Sequence, residues 1–282
     1  MVMIHEEPPD NEVELVQLET WARLRSAAST VTPIFLIHDG GGTTFAYHCL
    51  DPLRRFVYGI RNPHFFTGAT FANGISEMGR LYANMIRRAV AQADFPAKRA
   101  SDGRTNVFLG GWSLGGMLSL EVAHVLAEDE VVRVIGILMV DSPYPGLTEP
   151  FDGPIAPRSR KGEAKSKNEV LADRCMAEAR RMVDGWQLPV WKEARRPPTV
   201  LLRATDRVPT LGPGVERVDV YRSDAMLEWA RYDEAMFEEV LEVRGHHFDL
   251  FSPERISATT EVIRRGLEVL DGCVPVLGDA CI

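Results

Sequence analysis

The sequence predicts an α/β fold, a mostly parallel sheet flanked by helices and interrupted by one long insertion. Three observations carry this reading. Uninterrupted apolar runs recur at residues 34–37 (IFLI), 56–60 (FVYGI), 107–109 (VFL) and 134–140 (VIGILMV). Runs without polar alternation belong to strands covered on both faces, as in a parallel sheet. Between them, apolar residues return at helical spacing, most clearly Ile75, Met78, Leu81, Tyr82, Met85, Ile86 and Val90. Strand and helix in alternation imply crossover connections, and a chain of 282 residues is long enough to build one large domain around them.

Taken in order, residues 1–31 scatter Val13, Leu15, Leu18, Trp21 and Leu24 among charges, and are expected to form a leader along the domain edge, partly helical. Residues 33–38 (PIFLIH) form the first buried strand, which ends in Asp39-Gly40-Gly41-Gly42 before a helix start at 43–47. A second short strand at 56–60 is broken by Arg61-Asn62-Pro63, and the amphipathic helix follows. The polar loop 98–105 leads into the strand at 107–109, a glycine turn at 111–115 (GWSLG) and a helix over 117–128. The strand at 134–140 ends in Asp141-Ser142-Pro143. Residues 146–196 then break the rhythm. Their first part is rich in Pro, Gly, Lys and Arg. Residues 170–183 read as a helix with Leu171, Cys175, Ala179 and Met182 on one stripe, and Trp186 and Trp191 follow. An insertion beyond the carboxyl end of a strand is placed to act as a lid. Strands are expected again at 199–204, 217–221 and 239–243, then the loop 245–251 (GHHFDLF) and a closing helix over 253–270. The organisation expected is a leader over 1–31, one domain over 32–272 carrying the insertion, and a tail over 273–282.

The net charge of −8 argues against nucleic acid as a partner, because phosphate binding needs a basic face, and against adhesion to an anionic membrane. No apolar run approaches the roughly 18 residues of a membrane span, and the acidic start lacks the basic-then-apolar order of a secretory signal. Cys49, Cys175, Cys273 and Cys281 have no metal-ligand spacing. They read as free thiols of a cytoplasmic protein, with neither metal nor cofactor expected.

Chemistry concentrates at the glycine turn. Gly111-Trp112-Ser113-Leu114-Gly115 is G-x-S-x-G between a strand and a helix, the setting of a nucleophile elbow, where side chains in place of the glycines would collide with the helix that follows. Ligand sites of parallel sheets lie beyond the carboxyl ends of the strands, which is where the Gly40 loop, Ser113 and Asp141 fall. A serine hydroxyl needs a base, and the base needs an acid to hold its tautomer. The histidine pair at 246–247 lies after the last strand, and the chain order Ser, Asp, His is that of an α/β-hydrolase. His247 is favoured because it precedes apolar Phe248, with His246 left open. His38 reads as structural. Asp141 and Asp206 each end a strand, and the residues alone do not choose between them; Asp249 is too close to His247 in sequence. The oxyanion would be held by the Leu114 amide, at a helix N-terminus, and by Gly40. No Lys-Ser/Thr or G-x-G-x-x-G pattern turns the Gly40 loop into a phosphate cradle. Trp186, Trp191, Trp229 and the methionines of the insertion either shape a substrate chamber or serve as ordinary core.

These segments resemble a known family. Residues 34–47 (IFLIHDGGGTTFAY), 58–63 (YGIRNP), 110–116 (GGWSLGG), 139–145 (MVDSPYP) and 245–248 look like the thioesterase domains of fungal polyketide synthases, in the thioesterase branch of the α/β-hydrolases. The resemblance covers about residues 32–270. It implies release of an acyl chain from the phosphopantetheine arm of an acyl carrier protein through an acyl-serine, by hydrolysis or internal cyclisation. The implied partner is a carrier protein or polyketide synthase, with or without a peptide synthetase portion. It also implies Asp141 as the acid, His247 as the base and Gly40 at the oxyanion position. Asp39 stands where many relatives have proline. No carrier-protein attachment motif precedes the domain, and Met1 with its acidic leader favours a stand-alone protein acting in trans over an excised domain. The rival readings are a carboxylesterase or lipase with the same residues, and a non-catalytic module that docks a carrier protein.

Overall fold

In the computed structural model the described residues are 13–17, 31–97, 99–146, 154–156, 165–191 and 195–273. The strands are β1 (Glu14–Gln17), β2 (Ile34–Ile37), β3 (Val57–Ile60), β4 (Thr105–Trp112), β5 (Val132–Val140), β6 (Thr199–Ala204) and β7 (Glu239–Val243). They form one sheet in the order β1-β3-β2-β4-β5-β6-β7. All neighbours are parallel except β1, which runs antiparallel to β3 at the edge. The helices are α1 (Phe45–His48), α2 (Gly74–Val90), α3 (Leu114–Val125), α4 (Lys167–Asp184) and α5 (Ile256–Cys273).

The unbroken apolar strands are explained by helices on both faces. Phe35, Ile37, Val107 and Leu109 pack with Ile75, Met78 and Tyr82 of α2 and Leu118 of α3. The alternate residues Ile34, Leu36 and Phe108 pack on the other face with Tyr47 of α1 and Ile263, Leu267 and Leu270 of α5. Neither face of the central strands is left to water, so no polar alternation survives in them. The register aligns the carboxyl ends: Gly111 of β4 lies beside Ile37 of β2 and Met139 of β5, which sets the three following loops side by side.

The structure departs from the sequence reading at several points. Part of the leader is the strand β1, a short segment of mixed polarity that apolar periodicity does not reveal because main-chain pairing with β3 holds it. The expected strand at 217–221 is instead a 3₁₀ turn, Arg217–Asp219, opened by the Glu216 carboxylate, which accepts from the Val218 N–H at 3.2 Å. Helix α3 begins at Leu114, directly after the serine, and β4 is longer than its apolar centre. Cys49, Cys175 and Cys273 are free thiols. Among the described residues no helix is long and apolar enough to cross a membrane. The readings at residues 18–30, 157–164 and 274–282 lie outside the described residues.

Tyr47 ties the sheet together at the site end. Its buried hydroxyl donates to the Ile37 carbonyl at 2.6 Å and accepts from the Trp112 N–H at 2.9 Å, joining the ends of β2 and β4. Tyr47→Phe leaves buried main-chain groups short of a partner. It is expected to cost about 1–3 kcal/mol in urea unfolding with little change in m-value.

Candidate active site

The turn after β4 is built by close approach. Ser113 has φ 58° and ψ −116°, an uncommon conformation for a residue with a side chain, and its N–H donates to the Val140 carbonyl at 2.9 Å. A Cβ on Gly111 would lie 2.5 Å from the Ile37 carbonyl oxygen and 2.7 Å from Gly115 Cα, and one on Gly115 would overlap the Ile37 carbonyl oxygen. The glycines are therefore what lets the helix start against the end of β2, which lifts Ser113 above the sheet.

Asp141 follows β5 with φ 46°, its N–H donating to the Leu202 carbonyl at 2.7 Å. This kink turns its carboxylate toward the loop after β7. His247 in that loop places Nδ1 2.8 Å from Asp141 Oδ2 and Nε2 3.0 Å from Ser113 Oγ. The carboxylate can only accept, so Nδ1 carries the proton and Nε2 is free to accept from the serine hydroxyl. Both Asp141 and His247 are buried, and the imidazole is flanked by the rings of Trp112 and Phe248. Burial works to raise the Asp141 carboxyl, but hydrogen bonds from His247 and Arg222 outweigh it and hold the group well below the usual carboxylate range. Such an arrangement can pass the serine proton to the imidazole while the carboxylate stabilises the cation formed.

The other candidates stand elsewhere. The Asp206 side chain is exposed and accepts from the Thr205 hydroxyl at 2.9 Å. Its N–H braces the histidine loop by donating to the Gly245 carbonyl at 2.8 Å. His246 turns away: its N–H donates to Asp249 Oδ1 at 2.7 Å and its Nδ1 accepts from the Phe248 N–H at 3.2 Å. His38 is buried, its Nε2 accepting from the Tyr82 hydroxyl at 2.7 Å, and burial lowers its pKa to about 4. It is therefore a neutral structural histidine at pH 7.

Gly40 and Leu114 line one cleft with Ser113 and His247. Helix α4 roofs it with Met176, Ala179 and Val183, and Tyr144, Tyr221 and Phe248 extend the apolar lining, while Arg180, Glu216 and Arg217, the last paired with Asp184, are its charged groups. A Cβ on Gly40 would strike Met176 Sδ at 2.6 Å, so the helix rests on the glycine loop. The three tryptophans do not line this cleft: Trp229 donates to the Ser142 carbonyl at 2.7 Å, Trp186 to Glu121 at 2.9 Å and Trp191 to the Tyr232 hydroxyl at 2.8 Å. Among the described residues no group of three or more His, Cys, Asp or Glu side chains is placed to hold a metal ion.

Sequence reasoning missed Arg222. It is buried behind Asp141, and its guanidinium meets both carboxylate oxygens. The only trace in the sequence is the i,i+3 pair Asp219/Arg222, obscured by reading 217–221 as a strand.

The glycine loop is shaped by hydrogen bonds of its own. The Gly41 N–H donates to Asp39 Oδ1 at 3.1 Å and the Gly42 N–H to the Asp39 carbonyl at 3.0 Å. The Asp39 side chain and carbonyl thus shape the turn.

Comparison with known proteins follows the same lines. A family model described as "Alpha/beta hydrolase family" matches residues 34–259. A probable thioesterase of Botryotinia fuckeliana, BOA10, is 34% identical over 253 residues, covering 85% of each chain. A nonribosomal peptide synthetase of Aspergillus flavus, imqB, is 30% identical over 267 residues, which are 84% of this chain and 8% of that protein. The crystal structure of the NocB thioesterase domain from the nocardicin cluster shares the fold at TM-score 0.60 and 21% identity, over 91% of this chain and 99% of that one.

Burial raises Asp39 from an ordinary value of 3.8 to about 6, partly offset by the Gly41 N–H and by the charge of His247. Between those values the folded state holds the extra proton, so stability is lost as pH rises through that window. Asp39→Asn removes the loss and retains an acceptor for Gly41. Its stability relative to wild type is expected to improve by about 1–2 kcal/mol between pH 4 and pH 7.5, read from denaturant midpoints at each pH.

Proposed function

The chain belongs to the α/β hydrolase family, in its branch of fungal thioesterases, and from that premise we propose that it releases a polyketide-type acyl chain from the phosphopantetheine arm of an acyl carrier protein through an acyl-serine. Ser113 Oγ attacks the thioester carbonyl as His247 Nε2 takes its proton, and Asp141 stabilises the imidazolium. The tetrahedral oxyanion is held by the Leu114 and Gly40 amides, the former at the start of α3, where the helix dipole favours negative charge. The imidazolium returns the proton to the departing thiolate. Water, or a nucleophile of the chain itself, then attacks the acyl-serine with His247 again as base, giving a free acid or a ring.

The observation that carries this reading is the hydrogen-bonded series Ser113, His247, Asp141, with links of 3.0 and 2.8 Å, in an apolar cleft. The apolar lining suits a long acyl chain and limits water, which favours an internal nucleophile where the chain offers one. The carrier-bound substrate is supported by two features. Arg180 and Arg217, the latter paired with Asp184, stand at the cleft with Glu216 and offer cations to the phosphate at the base of such an arm. The matching stretch is 8% of a peptide synthetase, a share that fits one domain of a larger synthase. The carrier or its synthase is the protein's partner in this reading, which is set in the reducing cytoplasm and needs no cofactor of the enzyme's own.

Turnover of acyl-N-acetylcysteamine thioesters and matched oxygen esters by wild type and Ser113→Ala tests the proposal. Wild type is expected to prefer the thioesters, and Ser113→Ala to lose at least about a thousandfold in kcat/KM. Retained turnover in the variant would overturn the acyl-serine route. A preference of wild type for oxygen esters would assign a carboxylesterase instead; with inactivity on both, labelling of Ser113 by a fluorophosphonate would assign a strict need for the carrier protein, and no labelling a binding module.

A further inference from the structure

Behind the candidate acid lies a cluster of buried charges that the chemistry above does not require. Asp141 is 0% exposed, Asp219 1% and Arg222 3%. The Arg222 guanidinium donates through Nη1 to Asp141 Oδ1, through Nη2 to Asp141 Oδ2 at 2.8 Å and through Nε to Asp219 Oδ1 at 2.9 Å. Asp141 Oδ1 also accepts from the Ala204 N–H at 2.8 Å, and Asp219 Oδ2 from the Val208 N–H. The Arg222 carbonyl is held by Arg203 Nη2 at 2.6 Å. Each oxygen of Asp141 therefore has two donors: Arg222 and Ala204 on one, Arg222 and His247 on the other.

A carboxylate with one partner can rotate about its Cβ–Cγ bond. One gripped by a planar fork cannot, because both oxygens must stay in the fork's plane. A fork has a second effect. Its positive charge sits against the acid that must stabilise an imidazolium, and taken alone it would cancel that acid. Asp219 restores the balance: two carboxylates and one guanidinium leave the cluster one net negative charge, facing His247. We propose that Arg222 is a positioning residue that fixes the orientation of the Asp141 carboxylate toward His247, and that Asp219 preserves the negative charge His247 experiences. The inference rests on the reading of Ser113 and His247 given above.

Among the described residues the charged and titratable groups around His247 are Asp141 after β5, Arg222 and Asp219 in the segment after β6, Ser113 after β4, and Asp39 after β2, which acts on it through its charge, with Arg180 of α4, Glu216, Arg217, Tyr144 and Tyr221 lining the same cleft. The two roles predict different signatures. Arg222→Lys keeps the charge but replaces a fork by a point donor. Asp219→Asn keeps the fork but leaves the cluster neutral.

The experiment is the rate of covalent labelling of Ser113 by an alkyl fluorophosphonate across pH, on the full chain, well below each variant's Tm. In that step the serine oxygen forms a bond to phosphorus, the P–F bond breaks, fluoride leaves and the hydroxyl proton passes to His247. Arg222→Lys is expected to lower the plateau about 10- to 100-fold with the acidic limb unmoved. Asp219→Asn is expected to lower the plateau and move the acidic limb to lower pH by about half a unit or more, because the imidazolium has lost a stabilising charge. Folded variants whose profiles superimpose on wild type would overturn the proposal while leaving the reactive serine intact. A wild type that does not label, like Ser113→Ala, would overturn the reading of the serine and this inference with it. Should Arg222→Lys fail to fold, Asp219→Asn carries the test through the position of its acidic limb.

Discussion

The carbonyl oxygens of Ile37 and His38 leave no room for a side chain at Gly115, nor Ile37 for one at Gly111, and the placement of the candidate site follows from that contact. Because the two glycines yield, α3 starts within van der Waals reach of the end of β2. Ser113 is then forced into a positive φ above the sheet, and Leu114 opens a helix directly after it. The same register brings the ends of β2, β4 and β5 level, so that the loops carrying Gly40, Ser113 and Asp141 open on one side. Packing against a main-chain oxygen cannot relax by changing a rotamer. That rigidity is what allows a hydroxyl to be held at hydrogen-bond distance from a base on a loop 134 residues away in the chain.

The site is placed at a cost to the fold. Ser113 and Asp141 both occupy positive φ, conformations that side chains other than glycine's disfavour by about 1 kcal/mol or more each. Asp39 is held partly buried with a raised carboxyl, and Asp141, Asp219 and Arg222 are charges removed from water. The strand segments beneath, Ile34–Ile37, 107–109 and 137–140, are apolar on both faces and packed by α2 and α3 on one side and α5 on the other. A stiff apolar sheet thus carries a rim of strained and charged residues at its carboxyl end, the usual division between scaffold and site in parallel sheets.

The parts legible in the sequence are those where one local rule decides. Buried strands announce themselves by missing alternation, α2 by its period, and the turn at Ser113 by glycines that only a steric constraint explains. The sheet and its flanking helices follow from these, whereas membership in the thioesterase branch of the α/β hydrolases rests on the family match and the fungal relatives. What was not legible depends on partners far apart in the chain. β1 is a strand because β3 offers main-chain groups, not because of its own pattern. Asp141 and Asp206 both end strands and cannot be ranked locally. They differ because the kink at Asp141 aims its carboxylate at the Ala204 amide, Arg222 and His247, whereas the Asp206 side chain projects into solvent. Arg222 was hidden for the same reason: its spacing from Asp219 hints at one of the carboxylates it meets, but nothing local marks Asp141.

The central claim is that the chain passes through an acyl-serine at Ser113. Intact-protein mass after a brief incubation with acyl-N-acetylcysteamine thioesters tests it most directly, with a peptide map to locate any adduct. The account predicts a mass increase equal to the acyl group on wild type, located at Ser113 and absent from Ser113→Ala. Where deacylation outruns acylation, it predicts product released by wild type alone. An adduct or product that persists at equal yield in Ser113→Ala would contradict it.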